Sequence, residues 1–210
     1  MRPFPAILPL LCSASCLASF EVTRNVNDGR PPLEKVVLFA KDRPHDHLVL
    51  SNTGTGELTY APDGAIVATI SGSGVAAPRI AWRAGDGRPA SFALDAYTYL
   101  ILVCRLEGVV RETDAKGKVS EKRPDNLWFG VDLYNAAGER IGVVNLADVN
   151  EARPGATPAE TTVLRIPMVL FRGAPVADAM AAQLGTNWQA TKPNQSRAFR
   201  WVIDRIALAD

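Results

Sequence analysis

The sequence predicts an all-β protein: a two-sheet antiparallel β-sandwich of jelly-roll type with one short helix. Three observations lead there. Short alternating or wholly apolar runs recur along the chain, each closed by a Gly, Pro, Asn or Asp cluster. One of them, Thr98–Leu106, is apolar on both alternating sets, with Leu100, Leu102, Cys104 and Leu106 on one side and Tyr99, Ile101 and Val103 on the other. A strand that offers water neither face lies inside a sheet covered from both directions. Only Val176–Leu184 (VADAMAAQL), closed by Gly185, reads as a helix, being short and Ala-rich.

The first 18 residues differ in kind. Arg2 precedes the apolar run Phe4–Leu11, and small residues follow through Ala18. This is the build of a secretory signal peptide, and the prolines at 3, 5 and 9 argue against a stable membrane-anchoring helix. Residues 1–18 are therefore expected to be removed, residues 19–34 to form a polar N-terminal lead, and residues 35–210 to form the domain of an exported protein: periplasmic, in the cell envelope, or secreted. Cys12 and Cys16 fall in the leader, so the mature chain keeps Cys104 alone, a small apolar filler with no partner for an intrachain disulfide. Cys16 is also placed to be a lipoprotein's acylated cysteine, although Ser13 stands where that signal prefers Leu. With 23 Lys+Arg against 22 Asp+Glu, the net charge of +1 gives no general electrostatic case for nucleic acid or an anionic membrane.

In order, strands are expected at Lys35–Ala40, His47–Ser51, Leu58–Tyr60, Ala65–Ile70 and Arg79–Trp82, with Pro62-Asp63-Gly64 turning a hairpin. Arg83–Pro89 is a loop leading to the central strand. Beyond Gly108, the charge-dense Arg111–Pro124 reads as a solvated loop or hairpin tip. Asn126–Tyr134 alternates, with Leu127, Phe129, Val131 and Leu133 opposite Trp128, Gly130, Asp132 and Tyr134. Asn135-Ala136-Ala137-Gly138 turns this strand into Arg140–Asn145. Thr161–Phe171 is a strand kinked at Pro167, and Arg197–Leu208 closes the chain.

The segments LDAYTYLILVCRLEG, NLWFGVDLYNAAGERI, TTVLRIPM and FRWVIDRIAL, the last carrying Trp201, Ile203, Asp204, Ile206 and Leu208, resemble the strand series of galactose-binding-like jelly rolls. That fold is shared by many carbohydrate-binding modules, and the likeness spans about residues 35–208. It implies a fold before a function. It also implies a structural Ca²⁺ on Asp204, with Glu21 or Asp42 as the second acidic ligand.

The candidate binding surface is the face carrying Trp128, Asp132 and Tyr134. Sugar recognition needs an aromatic plate for the pyranose face, here Trp128, and polar groups for its hydroxyls, supplied by Asp132, Tyr134 and Arg105 or Arg165 from nearby strands. The plainer reading is that these aromatics cover the sheet. A second candidate is the loop beginning Trp82-Arg83, against a polar turn with Trp82 in the core. His45-Asp46-His47 has metal-ligand spacing on a strand, but a third His is lacking, and an exposed loop pair is the simpler reading. No nucleophile elbow, phosphate loop or Cys/His pair is present. The function expected is an exported non-catalytic module that binds polysaccharide or glycan. The alternatives are a structural or protein-interaction sandwich of the cell envelope and a jelly-roll glycoside hydrolase or lyase.

Overall fold

The computed structural model describes residues 34–54, 56–72, 76–122, 130–145, 149, 161–171, 180–187 and 195–210. The leader, Cys16, Glu21 and Trp128 lie outside these residues, as does the first half of the expected helix. The described residues form strands β1 (Glu34–Ala40), β2 (Leu48–Gly54), β3 (Glu57–Tyr60), β4 (Ile66–Gly72), β5 (Ala76–Trp82), β6 (Phe92–Ala93), β7 (Tyr99–Thr113), β8 (Val119–Lys122), β9 (Gly130–Tyr134), β10 (Arg140–Asn145), β11 (Thr162–Pro167), β12 (Met180–Ala181), β13 (Gln183–Asn187) and β14 (Gln195–Ala209). One sheet of seven strands runs β11-β7-β14-β4-β3, with β1 also on β14 and β8 also on β7; a second of five runs β10-β9-β13-β5-β2. A small β12-β6 pair completes the set, and every pairing is antiparallel.

Alternation explains how the sheets close on each other. From the larger sheet, Leu100, Leu102, Cys104 and Leu106 of β7 and Trp201, Ile203, Ile206 and Leu208 of β14 point inward. From the smaller sheet, Ile80, Trp82, Val131, Leu133, Val144 and Leu184 meet them in the same core. This is an all-β sandwich, its two sheets sharing one apolar layer. Thr98–Leu106, expected in the middle of a sheet, falls in β7, an interior strand between β11 and β14, while β14 holds the middle of the order. Its outward residue Ile101 is buried as completely as the inward ones. The charged stretch after Gly108 extends β7 and folds back as β8, with Arg111 ion-paired to Glu121 at 2.7 Å.

Four hairpins use one loop design. In each, a glycine N–H donates to the carbonyl three residues back (Gly64 to Ala61, Gly87 to Ala84, Gly117 to Asp114, Gly138 to Asn135) and the loop closes with one further bond. The glycine φ values are +86°, +81°, +79° and +83°. That is the three-residue hairpin loop, a type I turn followed by a left-handed residue that only glycine adopts cheaply.

The helix expected at Val176–Leu184 is corrected. Its described half is strand: Met180–Ala181 pairs with β6, and Gln183 onward pairs with both β9 and β5. Ala182, between them, donates to Tyr134 O and accepts from Trp82 N. Helix propensity differs by only tenths of a kcal/mol among these residue types, and burying Ala181, Ala182 and Leu184 between two paired strands outweighs it. Among the described residues no helix is long and apolar enough to cross a membrane.

Candidate functional site

The outward face of the five-stranded sheet carries the principal polar cluster. Cross-strand register sets it in two rows. One row runs Ser51, Arg79, Gly185, Asp132, Val143 across β2, β5, β13, β9 and β10. The next runs Val49, Ala81, Gln183, Tyr134, Arg140. Small residues thus flank the charged ones. Gly185, which has no side chain, separates Arg79 from Asp132, so the Arg79 side chain is free to cross β13. It does so: its guanidinium carbon sits 3.8 Å from the centroid of the Tyr134 ring. A Cβ added at Gly138, in the β9–β10 turn, would lie 3.7 Å from Arg79 Nη1.

Beneath this cation–aromatic stack, the Tyr134 hydroxyl donates to Asp132 Oδ2 at 3.2 Å. Arg140 Nη1 stands 4.0 Å from Asp132 Oδ1, at the outer limit of an ion pair. Asp132 is only 2% exposed and Tyr134 8%. Desolvation pushes the Asp132 carboxyl above its ordinary range, partly offset by the Tyr134 hydrogen bond and the charges of Arg140 and Arg79. The Tyr134 phenol is likewise raised, by burial first and the Asp132 charge second. Asp132 Oδ1 and Arg79 Nε are both buried with no hydrogen-bond partner. Unsatisfied groups of this kind are costly and need a reason.

Asp132 and Tyr134 therefore share a face, but as a buried brace rather than as surface groups. Arg79, Arg140 and Gln183 are the members the alternation did not single out. Arg140 was within reach of it, since a hairpin closed by Asn135–Glu139 sets Arg140 opposite Tyr134. Arg79 and Gln183 depend on long-range pairing that one strand's pattern does not contain.

The remaining candidates fall elsewhere. Trp82, expected at a binding loop, is 3% exposed and points into the inter-sheet core, where its ring meets Phe92 edge-on at 5.8 Å; it has no surface to offer a ligand. Arg83 is exposed and folded onto its own loop, donating to Gly87 O at 3.0 Å. It follows Arg79 by four residues and lies one residue past the end of β5, about 13 Å away along the chain direction. Arg105 is not a neighbour of Asp132. It alternates with the inward Cys104 and Leu106, so it lies on the outer face of the seven-stranded sheet, across the core, and Arg165 shares that face. There Arg105 pairs with Glu107 at 2.9 Å and Asp204 at 3.6 Å.

Asp204 also meets Lys41 Nζ at 3.4 Å. Two cations on one carboxylate are the opposite of a Ca²⁺ shell, which gathers six to eight oxygens. Among the described residues no group of three or more His, Cys, Asp or Glu comes together, and the expected partner Glu21 lies outside them. His45 and His47 part company: the His45 ring stacks on Tyr60 at 4.6 Å, whereas His47 Nε2 lies 3.1 Å from Leu38 O. Cys104 is fully buried, and desolvation pushes its thiol up to about 12.

The fold and this face define a class, an all-β sandwich with a guanidinium-bearing polar cluster on one sheet. No protein family matches the sequence, and no curated protein does. Among solved structures the chain is similar to a mutant of a family 29 carbohydrate-binding module complexed with mannohexaose, with 14% identity over 82% of this chain and 89% of that one and a TM-score of 0.41. It is also similar to a beta-1,2-glucanase from Parabacteroides distasonis, with 14% identity over 85% of this chain and a TM-score of 0.46. The chain spans 25% of the glucanase's length.

Proposed function

We propose that the protein is an exported, non-catalytic carbohydrate-binding sandwich that holds a glycan over the outer face of the five-stranded sheet. The observation that carries this reading is the Arg79–Tyr134–Asp132–Arg140 cluster. Its guanidinium groups have spare donors for sugar oxygens, and a hydrogen-bonded Tyr–Asp pair fixes the plate beneath them. The described cluster contains one carboxylate. Glycoside hydrolysis requires two on either side of the scissile bond, so the arrangement suits binding rather than cleavage. Asp132 and Tyr134 act as the brace, while Arg79, Arg140 and Gln183 meet the ligand.

Retention of the mature protein on a panel of insoluble and soluble polysaccharides tests the assignment. Arg79→Ala and Arg140→Ala should each lose retention while melting within a few degrees of the parent. A parent protein that no polysaccharide retains would overturn it. Export by cleavage after Ala18, or acylation at Cys16, is read by N-terminal sequencing and intact mass of the exported product. An intact Met1 in that product would overturn removal of the leader.

A further inference from the structure

The polar trough is electrostatically lopsided. Its two cross-strand rows hold two guanidinium groups, Arg79 and Arg140, against a single carboxylate, Asp132. That carboxylate already accepts from Tyr134 and is closed off from solvent. Several other arginines have a carboxylate partner: Arg105 reaches Asp204 and Glu107, Arg111 reaches Glu121, Arg200 reaches Glu107 and Arg205 reaches Glu34, whereas Arg83 donates to its own loop. Arg79 has no ion pair among the described residues, and its buried Nε has no acceptor. Arg140 has only the 4.0 Å approach to Asp132, and its side chain is 55% exposed. The two guanidiniums share a single carboxylate and flank one spot, each within about 4 Å of a Tyr134–Asp132 pair that is itself hydrogen-bonded.

We propose that the ligand of this face is an anionic polysaccharide, whose carboxylate or sulfate oxygens pair with Arg79 and Arg140. The inference rests on the carbohydrate-binding reading and narrows it. A guanidinium presents a planar fork of donors that matches an oxyanion two atoms at a time, and such charge-assisted bonds are roughly twice as strong as neutral ones. A neutral sugar would leave the net positive charge of the trough uncompensated. An acidic sugar supplies the missing charge. Arg140 is exposed, so pairs made there are screened by added salt, which gives the binding a salt dependence. Selectivity therefore resides in this trough and not in the whole chain, whose charges nearly balance.

Affinity electrophoresis of the mature protein separates the possibilities. Native gels would contain alginate or polygalacturonate for carboxylate, dextran sulfate for sulfate, and galactomannan or β-glucan as neutral chains. Preferential retardation by the carboxylated or the sulfated gel, weakened by added NaCl, supports the proposal and tells the two oxyanions apart. Arg79→Gln and Arg140→Gln should each weaken that retardation about tenfold, the loss expected for one charge-assisted contact, with Arg→Lys recovering part of it. Thermal melts of the same variants confirm that they are folded. Equal or stronger retardation by neutral chains would overturn the anionic assignment and leave carbohydrate binding standing. Anionic retardation unchanged in both Gln variants would also overturn it, placing the charge elsewhere. Retardation by none of the gels would remove both readings.

Discussion

Gly64→Ala tests how firmly the start of the chain is tied to the rest of the sandwich. Gly64 has φ +86°, and a Cβ there would lie 2.1 Å from the Lys41 carbonyl oxygen and 3.3 Å from His45 Nε2. Carbon and oxygen do not approach to 2.1 Å, so the Lys41 carbonyl must retreat by about 1 Å to restore ordinary van der Waals contact. Lys41 is not free to go. Its N–H donates to Asp204 O at 3.0 Å, and its ammonium bridges Asp63 and Asp204. The left-handed backbone costs a non-glycine residue about 1–2 kcal/mol. Disturbing the Lys41–Asp204 backbone bond adds about 1 kcal/mol, and displacing His45 from its stack on Tyr60 adds about 0.5–1 kcal/mol. The sum is about 2–4 kcal/mol, or roughly 5–15 °C in Tm for a domain of this size. The hairpin glycines Gly87 and Gly117 are matched controls, with φ +81° and +79° and nothing within 4 Å of an added Cβ. Alanine there should cost only the backbone share, about 1–2 kcal/mol. Urea unfolding of all three variants measures the difference. If Gly64→Ala is no worse than the two controls, the contact between the Ala61–Ala65 turn and Lys41 contributes nothing, and the reasoning fails.

Leu102→Ala, at a fully buried position between β11 and β14, should lower stability by about 3–5 kcal/mol in urea unfolding, because paired strands on both sides prevent the cavity from collapsing; a shift of under about 1 kcal/mol would remove β7 from the centre of the fold. Cys104, buried and with its thiol pushed up to about 12, should resist iodoacetamide in the native protein at pH 8 and react once unfolded in urea; equal labelling rates would contradict its burial. Asp132 gives a pH signature of definite sign. Its folded pKa is raised above the ordinary 3.8, so between the two values the folded protein holds a proton that the unfolded chain has released. Its contribution is therefore favourable at low pH and falls as pH rises through that window. Asp132→Asn should remove this fall, so that the stability of the variant relative to the parent rises from pH 4 to pH 7; a flat difference would show that burial does not act on this carboxyl.

Much of the fold was legible because strand alternation and glycine turns are local signals. The Ala61–Ala65 and Asn135–Glu139 loops carry their glycine at the same place, and each fixes a hairpin register on its own. The two apolar faces of Thr98–Leu106 likewise point to an interior strand without reference to any partner. What failed was a weak local preference set against a strong nonlocal one. Met180–Leu184 looks helical in isolation, yet it sits where both β5 and β9 need a partner and where Ala181, Ala182 and Leu184 are buried. The assignment of Arg105 to the Asp132 face failed for a related reason. Alternation gives the side of a strand, but only pairing says which sheet that strand joins.

The same distinction explains why the site was half visible. Asp132 and Tyr134 lie two residues apart on β9, so period two alone sets them on one face. Their chemistry, however, is decided by residues far away in sequence. Arg79 enters because β13 pairs with β5 and β9 at once, and because the residue between Arg79 and Asp132 is Gly185 rather than anything with a side chain. Arg140 enters through a hairpin whose register shifts between Arg140 and Gly142, letting Arg140 stand opposite Tyr134 while Gly142 stands opposite Leu133. Gln183 enters at the end of the segment whose sequence favours a helix. Had Met180–Leu184 been helical, Gly185 would not separate Arg79 from Asp132, and Tyr134 would lack its cross-strand neighbour. The override of helix propensity in this segment is therefore what assembles the cluster. A substitution that stiffens this segment toward helix is expected to harm ligand retention before it harms the rest of the sandwich.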